Sequence, residues 1–118
     1  ARRTSSIREL PLRLYRECSA RCLSAFLVST PSGTTWLILD SGAGGVSLIA
    51  KDQAQVFGLD PNAKDQQLKL DLAPGIVVDS PVLVTDMIME GNLGQPFLSK
   101  HVITLDLNEA RAWIAPPR

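Results

Sequence analysis

Residue types that bind metals or carry redox chemistry are scarce in this 118-residue chain, which has two cysteines and one histidine. A structural zinc site takes four Cys or His ligands, usually in closely spaced pairs. Cys18 and Cys22 are four residues apart, and His101 lies far downstream. The sequence therefore predicts no metal site and no cofactor. A local disulfide and two free thiols are both compatible with the cysteine spacing.

Excess charge of either sign is also absent, because twelve Lys and Arg residues balance twelve Asp and Glu residues. A neutral chain has no long-range field with which to hold nucleic acid or an anionic membrane. No apolar run approaches the roughly 20 residues that a transmembrane helix needs, and the first ten residues lack the apolar centre of a signal peptide. We therefore expect a protein or peptide partner. Because the chain begins with Ala, the compartment and any preceding signal or anchor stay open.

Apolar residues instead recur at every second position along most of the chain, a pattern that is typical of β-strands. The stretch ELPLRLY places three leucines on one face, with Pro11 tolerated only on an edge strand. In AKDQAQVFGLDP the period changes to that of a short helix, which Gly58 and Pro61 end. The length suits one domain. We predict a single all-β domain over residues 1–118, with its core at about 8–115 and one or two short helices.

Turn residues divide the predicted strands. PSG joins CLSAFLVST and TTWLILD into a hairpin, and further turns are expected at APG and DSP in the stretch LKLDLAPGIVVDSPVLVTDM. The stretch GNLGQPFLSK is predicted to be irregular, ending in a helical turn. HVITLDLNEARAWI is predicted to close the domain as a hairpin that turns at Asn108 and Glu109.

The segment WLILDSGAGGVSL, residues 36 to 48, carries an apolar strand directly into a carboxylate. Burying a carboxylate without partners costs several kcal/mol, so other groups are expected around Asp40. In one interpretation Asp40 caps the following turn and accepts hydrogen bonds from the backbone of Gly42 or Ala43. A phosphate-binding loop is disfavoured, because the third glycine of the dinucleotide motif and the Lys of a P-loop are both missing.

In another interpretation Asp40 is catalytic. Two identical carboxylates held together share one proton, so that one acts as a base on a water and the other as an acid toward a carbonyl. Such a pair hydrolyses amides without a metal or a covalent intermediate. This chemistry needs a small hydroxyl residue beside each Asp and a glycine that lets two loops approach closely. Asp40, Ser41 and Gly42 supply that order.

Two separated motifs resemble one family. LILDSGAGGVSL resembles the active-site loop of the aspartic proteases, and Ala43 matches their single-lobe, retroviral-type branch. Further along, GNLGQPFLSKHVITLDLNEARAWI resembles the closing segment of bacterial and retrotransposon retropepsin-like domains. The resemblance covers roughly residues 8 to 115 and implies a retropepsin-like barrel or sandwich.

The resemblance also implies a mechanism. This chain carries one Asp motif and has no room for a second lobe, so two copies are expected to form a homodimer whose subunits contribute one Asp40 each. The substrate is expected to be an extended peptide that pairs like a strand. The resemblance assigns roles to Asp40 as the catalytic residue, to Ser41, Gly42 and Ala43 as the active-site loop, and to Leu93 and Gly94 as its support.

One interval departs from the family pattern. Retropepsin-like domains have a glycine-rich hairpin, the flap, where this chain has only DPNAKDQQ, residues 60 to 67. A short flap weakens the prediction of an enzyme, because closure over the substrate both positions it and excludes water. The alternative is a weak or inactive dimerisation or peptide-binding module, or a protease that a partner protein completes.

Overall fold

The computed structural model describes residues 7–16, 22–30 and 32–116. Within these residues the chain is mostly β, with nine strands and two short helices, which confirms the all-β prediction. A 3₁₀ helix spans Lys51–Phe57, and helix α1 spans Gln95–Leu98. The strands are β1 (Arg8–Arg16), β2 (Cys22–Thr30), β3 (Gly33–Leu39), β4 (Ser47–Ala50), β5 (Gln66–Ala73), β6 (Ile76–Thr85), β7 (Gly91–Leu93), β8 (Val102–Asp106) and β9 (Arg111–Ala115).

The nine strands form one hydrogen-bonded series in the order β5-β6-β4-β7-β3-β2-β1-β9-β8. The short strand β7 runs parallel to β3, with Leu39 opposite Leu93, and antiparallel to β4, with Ile49 opposite Gly91. Because β7 lies between β3 and β4, its three residues, Gly91–Leu93, connect the two parts of the sheet. One part contains β5, β6 and β4, and the other contains β3, β2, β1, β9 and β8. The residues of β7 also bring the end of β3, where Asp40 follows, against the stretch that contains Leu93 and Gly94.

Strand β1 changes its partner at Pro11. Residues Arg8 to Pro11 pair with β9, and residues from Leu12 onward pair with β2. Each part of β1 therefore has one neighbouring strand in the described pairing, which accommodates a residue without an N–H group. Leu10 and Leu12 are buried on the inner face, as the alternation predicts.

The hydrophobic core is built from alternate positions of the long strands. In β6, for example, Ile76, Val78, Ser80 and Val82 are buried while the alternate residues between them are exposed. Phe97 of α1 is fully buried in the same cluster, which also contains Leu93. Full burial of one such apolar side chain contributes about 1.5–3 kcal/mol to stability. The core thus holds α1 and β7 firmly beneath the loop that follows β3.

Several predicted turns and helices agree with the structure. The β2–β3 hairpin, the turn at Pro74 and Gly75, and the closing β8–β9 hairpin are all present. The predicted helix is the 3₁₀ helix, which ends at Gly58 with a φ of 71°. That left-handed conformation is one that glycine adopts without steric cost.

Two of the predictions about turns and irregular segments were wrong. DSP is not a turn, because β6 continues through it: Ser80 is buried and bonded to Ser47, and Pro81 precedes the segment that pairs with β4. GNLGQPFLSK is not irregular, since it begins with β7, whereas the helical turn predicted toward its end is present as α1.

Some expectations fall outside what the structure describes. Cys18 is outside the described residues, and so is the side chain of Cys22, which leaves the disulfide and the free thiols as open alternatives. Within the described ranges, no helix is long and apolar enough to cross a membrane.

Candidate functional site

Asp40 follows the last residue of β3 and is half-buried. Its backbone N–H donates to the carbonyl oxygen of Leu93 at 2.9 Å, one step beyond the last β3–β7 pair. The parallel strand β7 therefore fixes the backbone at the point where the chain leaves the sheet. The aspartate is held by strand pairing on one side and begins a turn on the other.

Hydrogen bonds reach both oxygens of the Asp40 carboxylate. Oδ1 accepts from the backbone N–H of Gly42 at 3.0 Å, and Oδ2 accepts from Nδ2 of Asn92 at 2.9 Å. The first bond is the one that the turn-capping interpretation predicts. The second bond comes from a different strand and is not needed to form a turn. Together they fix the plane of the carboxylate, which a catalytic role requires.

The loop after Asp40 rests on the segment after β7. The backbone N–H of Gln95 donates to the carbonyl oxygen of Ala43 at 2.8 Å, and its side-chain Nε2 donates to the carbonyl oxygen of Ser41 at 3.0 Å. At Gly94 the contact is so close that an added Cβ would lie 2.2 Å from the carbonyl oxygen of Val46. The loop and its support are thus in backbone-to-backbone contact, which only glycine permits at this position.

A buried chain of hydroxyl groups holds this support from below. Oγ of Ser47 accepts from the backbone N–H of Gly94 at 3.0 Å and lies 2.9 Å from Oγ of Ser80. Oγ of Ser80 donates to the carbonyl oxygen of Pro81 at 2.9 Å. Because a hydroxyl has a single proton, Ser47 must be the donor to Ser80. The chain therefore runs in one direction, from Gly94 through both serines to β6.

Replacing Ser80 by Ala is expected to lower the free energy of unfolding by about 1–3 kcal/mol, because the buried hydroxyl of Ser47 then loses its acceptor. Urea denaturation of both proteins measures the difference. Ser29→Ala is the matched control, since Ser29 is exposed on β2 and its loss should change stability by less than about 0.5 kcal/mol. Equal losses of stability in Ser80→Ala and Ser29→Ala would contradict the hydrogen-bonded series that runs from Gly94 through Ser47 to Ser80.

An apolar groove adjoins the carboxylate. It has a volume of about 300 Å³, and Ile88 on its rim is fully exposed. Large apolar side chains that stay exposed beside a polar group are typical of binding surfaces. The groove is lined by Ile38, Leu39, Asp40, Met87, Ile88, Met89 and Asn92.

The structure brings most of the predicted site residues together. Asp40 and Gly42 share a hydrogen bond, and Leu93 and Gly94 lie directly beneath their loop. Ser41 is exposed on the turn, and its described link to the support is through its carbonyl group. Their catalytic and supporting roles remain predictions.

Sequence reasoning missed Asn92, which provides the second hydrogen bond to Asp40. The available signal is the pair of glycines that flank it closely. An added Cβ on Gly91 would lie 2.7 Å from the carbonyl oxygen of Leu48, so this strand also touches backbone. Glycines at such spacing indicate a tightly packed strand, and a polar side chain within it then stands out.

Comparison with known proteins adds no assignment. Neither the protein-family models nor the curated proteins nor the solved structures contain a match to this chain. In the part of the chain that the structure describes, no three His, Cys, Asp or Glu side chains form a group that could hold a metal ion. The function is therefore inferred from the geometry around Asp40.

Proposed function

We propose that this chain is a retropepsin-like aspartic endopeptidase that acts as a homodimer. The observation that carries the proposal is the carboxylate of Asp40, which is held on both oxygens at the end of a strand and opens into an apolar groove. A turn cap alone needs neither the bond from Asn92 nor the groove. A carboxylate that takes part in proton transfer needs a fixed orientation and a place for its substrate.

In the proposed reaction two Asp40 carboxylates, one from each subunit, share a proton across a two-fold axis. The ionised carboxylate takes a proton from a water as the water attacks the peptide carbonyl carbon, and the other donates its proton to the carbonyl oxygen. Collapse of the tetrahedral intermediate then breaks the C–N bond: the first carboxyl group gives the proton that it took from water to the leaving nitrogen, and the second takes a hydroxyl proton back from the intermediate, which releases the amine and restores the pair. Apolar side chains on either side of the scissile bond would occupy the groove.

The loop itself favours approach by a second copy. Ser41, Gly42, Gly44 and Gly45 are all exposed, and the last two have open space around the position of a Cβ. Small exposed residues let two backbones come close, as a shared carboxylate pair demands. Since each chain has one such motif, a symmetric dimer is the simplest way to pair it.

A second candidate is supported by the interval in which a flap is expected. Residues 60–65 fold back on themselves, because the side chain of Gln66 bonds both the N–H and the carbonyl oxygen of Asp60, at 2.8 and 2.7 Å, and also the carbonyl oxygen of Ala63. This closed turn has no free length with which to cover a groove. Strand β5 ends the sheet series, and an edge strand accepts an added peptide strand. A peptide-binding module, or a protease that a partner completes, fits these features.

Concentration dependence separates the two candidates. For the homodimeric enzyme we expect the cleavage rate per chain, measured on an unstructured protein, to rise with concentration and level off as sedimentation equilibrium shows dimer replacing monomer. Asp40→Asn purified in the same way controls for contaminating proteases. A chain that stays monomeric and leaves the substrate intact at every concentration contradicts the homodimer and favours the module.

A further inference from the structure

Asn92 is the one side chain of another strand that bonds the Asp40 carboxylate in the described residues. It lies on β7 opposite Ile38 of β3 in the parallel register, and its Nδ2 is 2.9 Å from Oδ2 of Asp40. An ionised carboxylate oxygen can only accept a hydrogen bond, and a side-chain amide nitrogen can only donate one. In the orientation seen here, the amide is therefore complementary to a charged Asp40.

The other end of the same amide is unsatisfied. Oδ1 of Asn92 is buried and has no hydrogen-bond partner among the described residues. A buried acceptor without a donor is unfavourable. The two ends of an amide are nearly equal in size and differ mainly in whether they donate or accept. No second bond therefore fixes which way the amide faces, and Asp40 alone determines its orientation.

We propose that Asn92 is a positioning residue that follows the protonation state of Asp40. When Asp40 is ionised, Nδ2 donates to Oδ2 as the structure shows. When Oδ2 carries a proton, the amide turns by half a rotation so that Oδ1 accepts from the carboxylic acid O–H. The carboxyl group thus stays in one place in both states, because it has a hydrogen-bond partner of the right kind in each.

An amide that can bond both the ionised and the protonated Asp40 suits two carboxylates that hold one proton between them. This role of Asn92 rests on the proposed function. In such a dimer one Asp40 is ionised and the other is protonated at any moment. The two copies of Asn92 then face opposite ways, and they exchange orientation when the proton moves. The acid O–H donates to Oδ1 of Asn92 before substrate binds and turns to the peptide carbonyl oxygen for the reaction, so that each carboxylate has the same position at the start of every turnover.

A test of pH dependence must separate Asp40 from the other charged groups in this part of the molecule. Asp40 is the one titratable side chain among the residues that line the groove. Asp86 is exposed and Glu90 half-buried in the segment that precedes β7, while Lys51 and Asp52 share a neighbouring depression with Asp86. The test must therefore distinguish a response to Asp40 from a response to these groups.

The test is an NMR pH titration of the isotopically labelled chain, which needs no catalysis. The side-chain amide resonances of Asn92 are expected to move with pH together with the carboxyl carbon signal of Asp40. In Asp40→Asn this movement is expected to disappear, while in Asp86→Asn it is retained. The side-chain amide of Gln95 is the internal control, because it donates to the backbone carbonyl of Ser41, which does not titrate.

Two results would overturn the inference. In one, the Asn92 amide signals stay constant while the Asp40 carbon titrates. In the other, they still move in Asp40→Asn, which would mean that they follow a different group. An Asn92 amide that follows Asp40 in a chain without peptidase activity would uphold this inference and contradict the proposed function, so the two can fail separately.

Discussion

Replacing Asp40 by Asn is expected to abolish peptide cleavage, with a loss of about 10³-fold or more. An amide can neither take a proton from water nor share one with a second carboxylate. The fold should persist, because the Oδ1 of Asn can still accept the N–H of Gly42, and the backbone bond from residue 40 to Leu93 does not involve the side chain. The substitution thus removes the chemistry and keeps the loop.

The measurement combines the initial cleavage rate with urea denaturation of the same preparations. Asp86→Asn is the matched control, since Asp86 is an exposed carboxylate just before the groove residue Met87, and its activity should stay within about twofold of wild type. Cleavage that survives Asp40→Asn at an undiminished rate would rule out an aspartate dyad.

Mixing wild type with Asp40→Asn tests whether two subunits share one active site. If subunits exchange at random in an equimolar mixture, about a quarter of the dimers contain two intact chains. A shared dyad then gives about a quarter of the activity of an all-wild-type sample at the same total concentration, whereas independent sites in each chain give half. The ratio therefore shows whether one site needs both subunits.

Replacing Gly94 by Ala is expected to destabilise the fold by about 3 kcal/mol or more. The added Cβ would lie 2.2 Å from the carbonyl oxygen of Val46 and 2.8 Å from that of Ala43. Both atoms belong to the backbone between β3 and β4, so no side chain can turn aside to make room. The loop must move, and with it the turn that holds Asp40.

Urea denaturation measures this loss, and a cleavage assay at a concentration of urea too low to unfold the variant measures the effect on the site. Gly44→Ala is the control, because an added Cβ there has no atom within 4 Å, and its effect on stability should stay below about 0.5 kcal/mol. Similar midpoints for the two variants would show that the loop is not held at Gly94.

The alternation of apolar residues was sufficient to predict much of the fold. It identified β2, β3 and the closing hairpin, because apolar residues recur there at near-alternate positions and because turn residues mark the ends of these strands. It failed in β6 at DSP, where Ser80 and Pro81 resemble a turn locally. Their place in a strand depends on the hydroxyl of Ser47, 33 residues away in the sequence, which no local pattern contains.

The candidate site likewise contains one hydrogen bond that the local sequence predicts and one that it does not. Asp40 and Gly42 are adjacent in the sequence, so their hydrogen bond follows from turn chemistry. The bond from Asn92 depends on a parallel strand pairing that brings together two residues 52 positions apart in the sequence. Strand β7 has three residues, too few to show a period. Its pairing register is therefore set by the packing of the whole domain.

The position of β7 also affects when the site forms during synthesis. Strands β1, β2 and β3 emerge from the ribosome early, yet β3 waits for β7 and β1 waits for β9 before their pairing is complete. Until β7 has been translated, the turn at Asp40 lacks both Leu93 and Asn92. For the proposed peptidase, an unfinished chain thus has no organised carboxylate, and activity is withheld from nascent and truncated products.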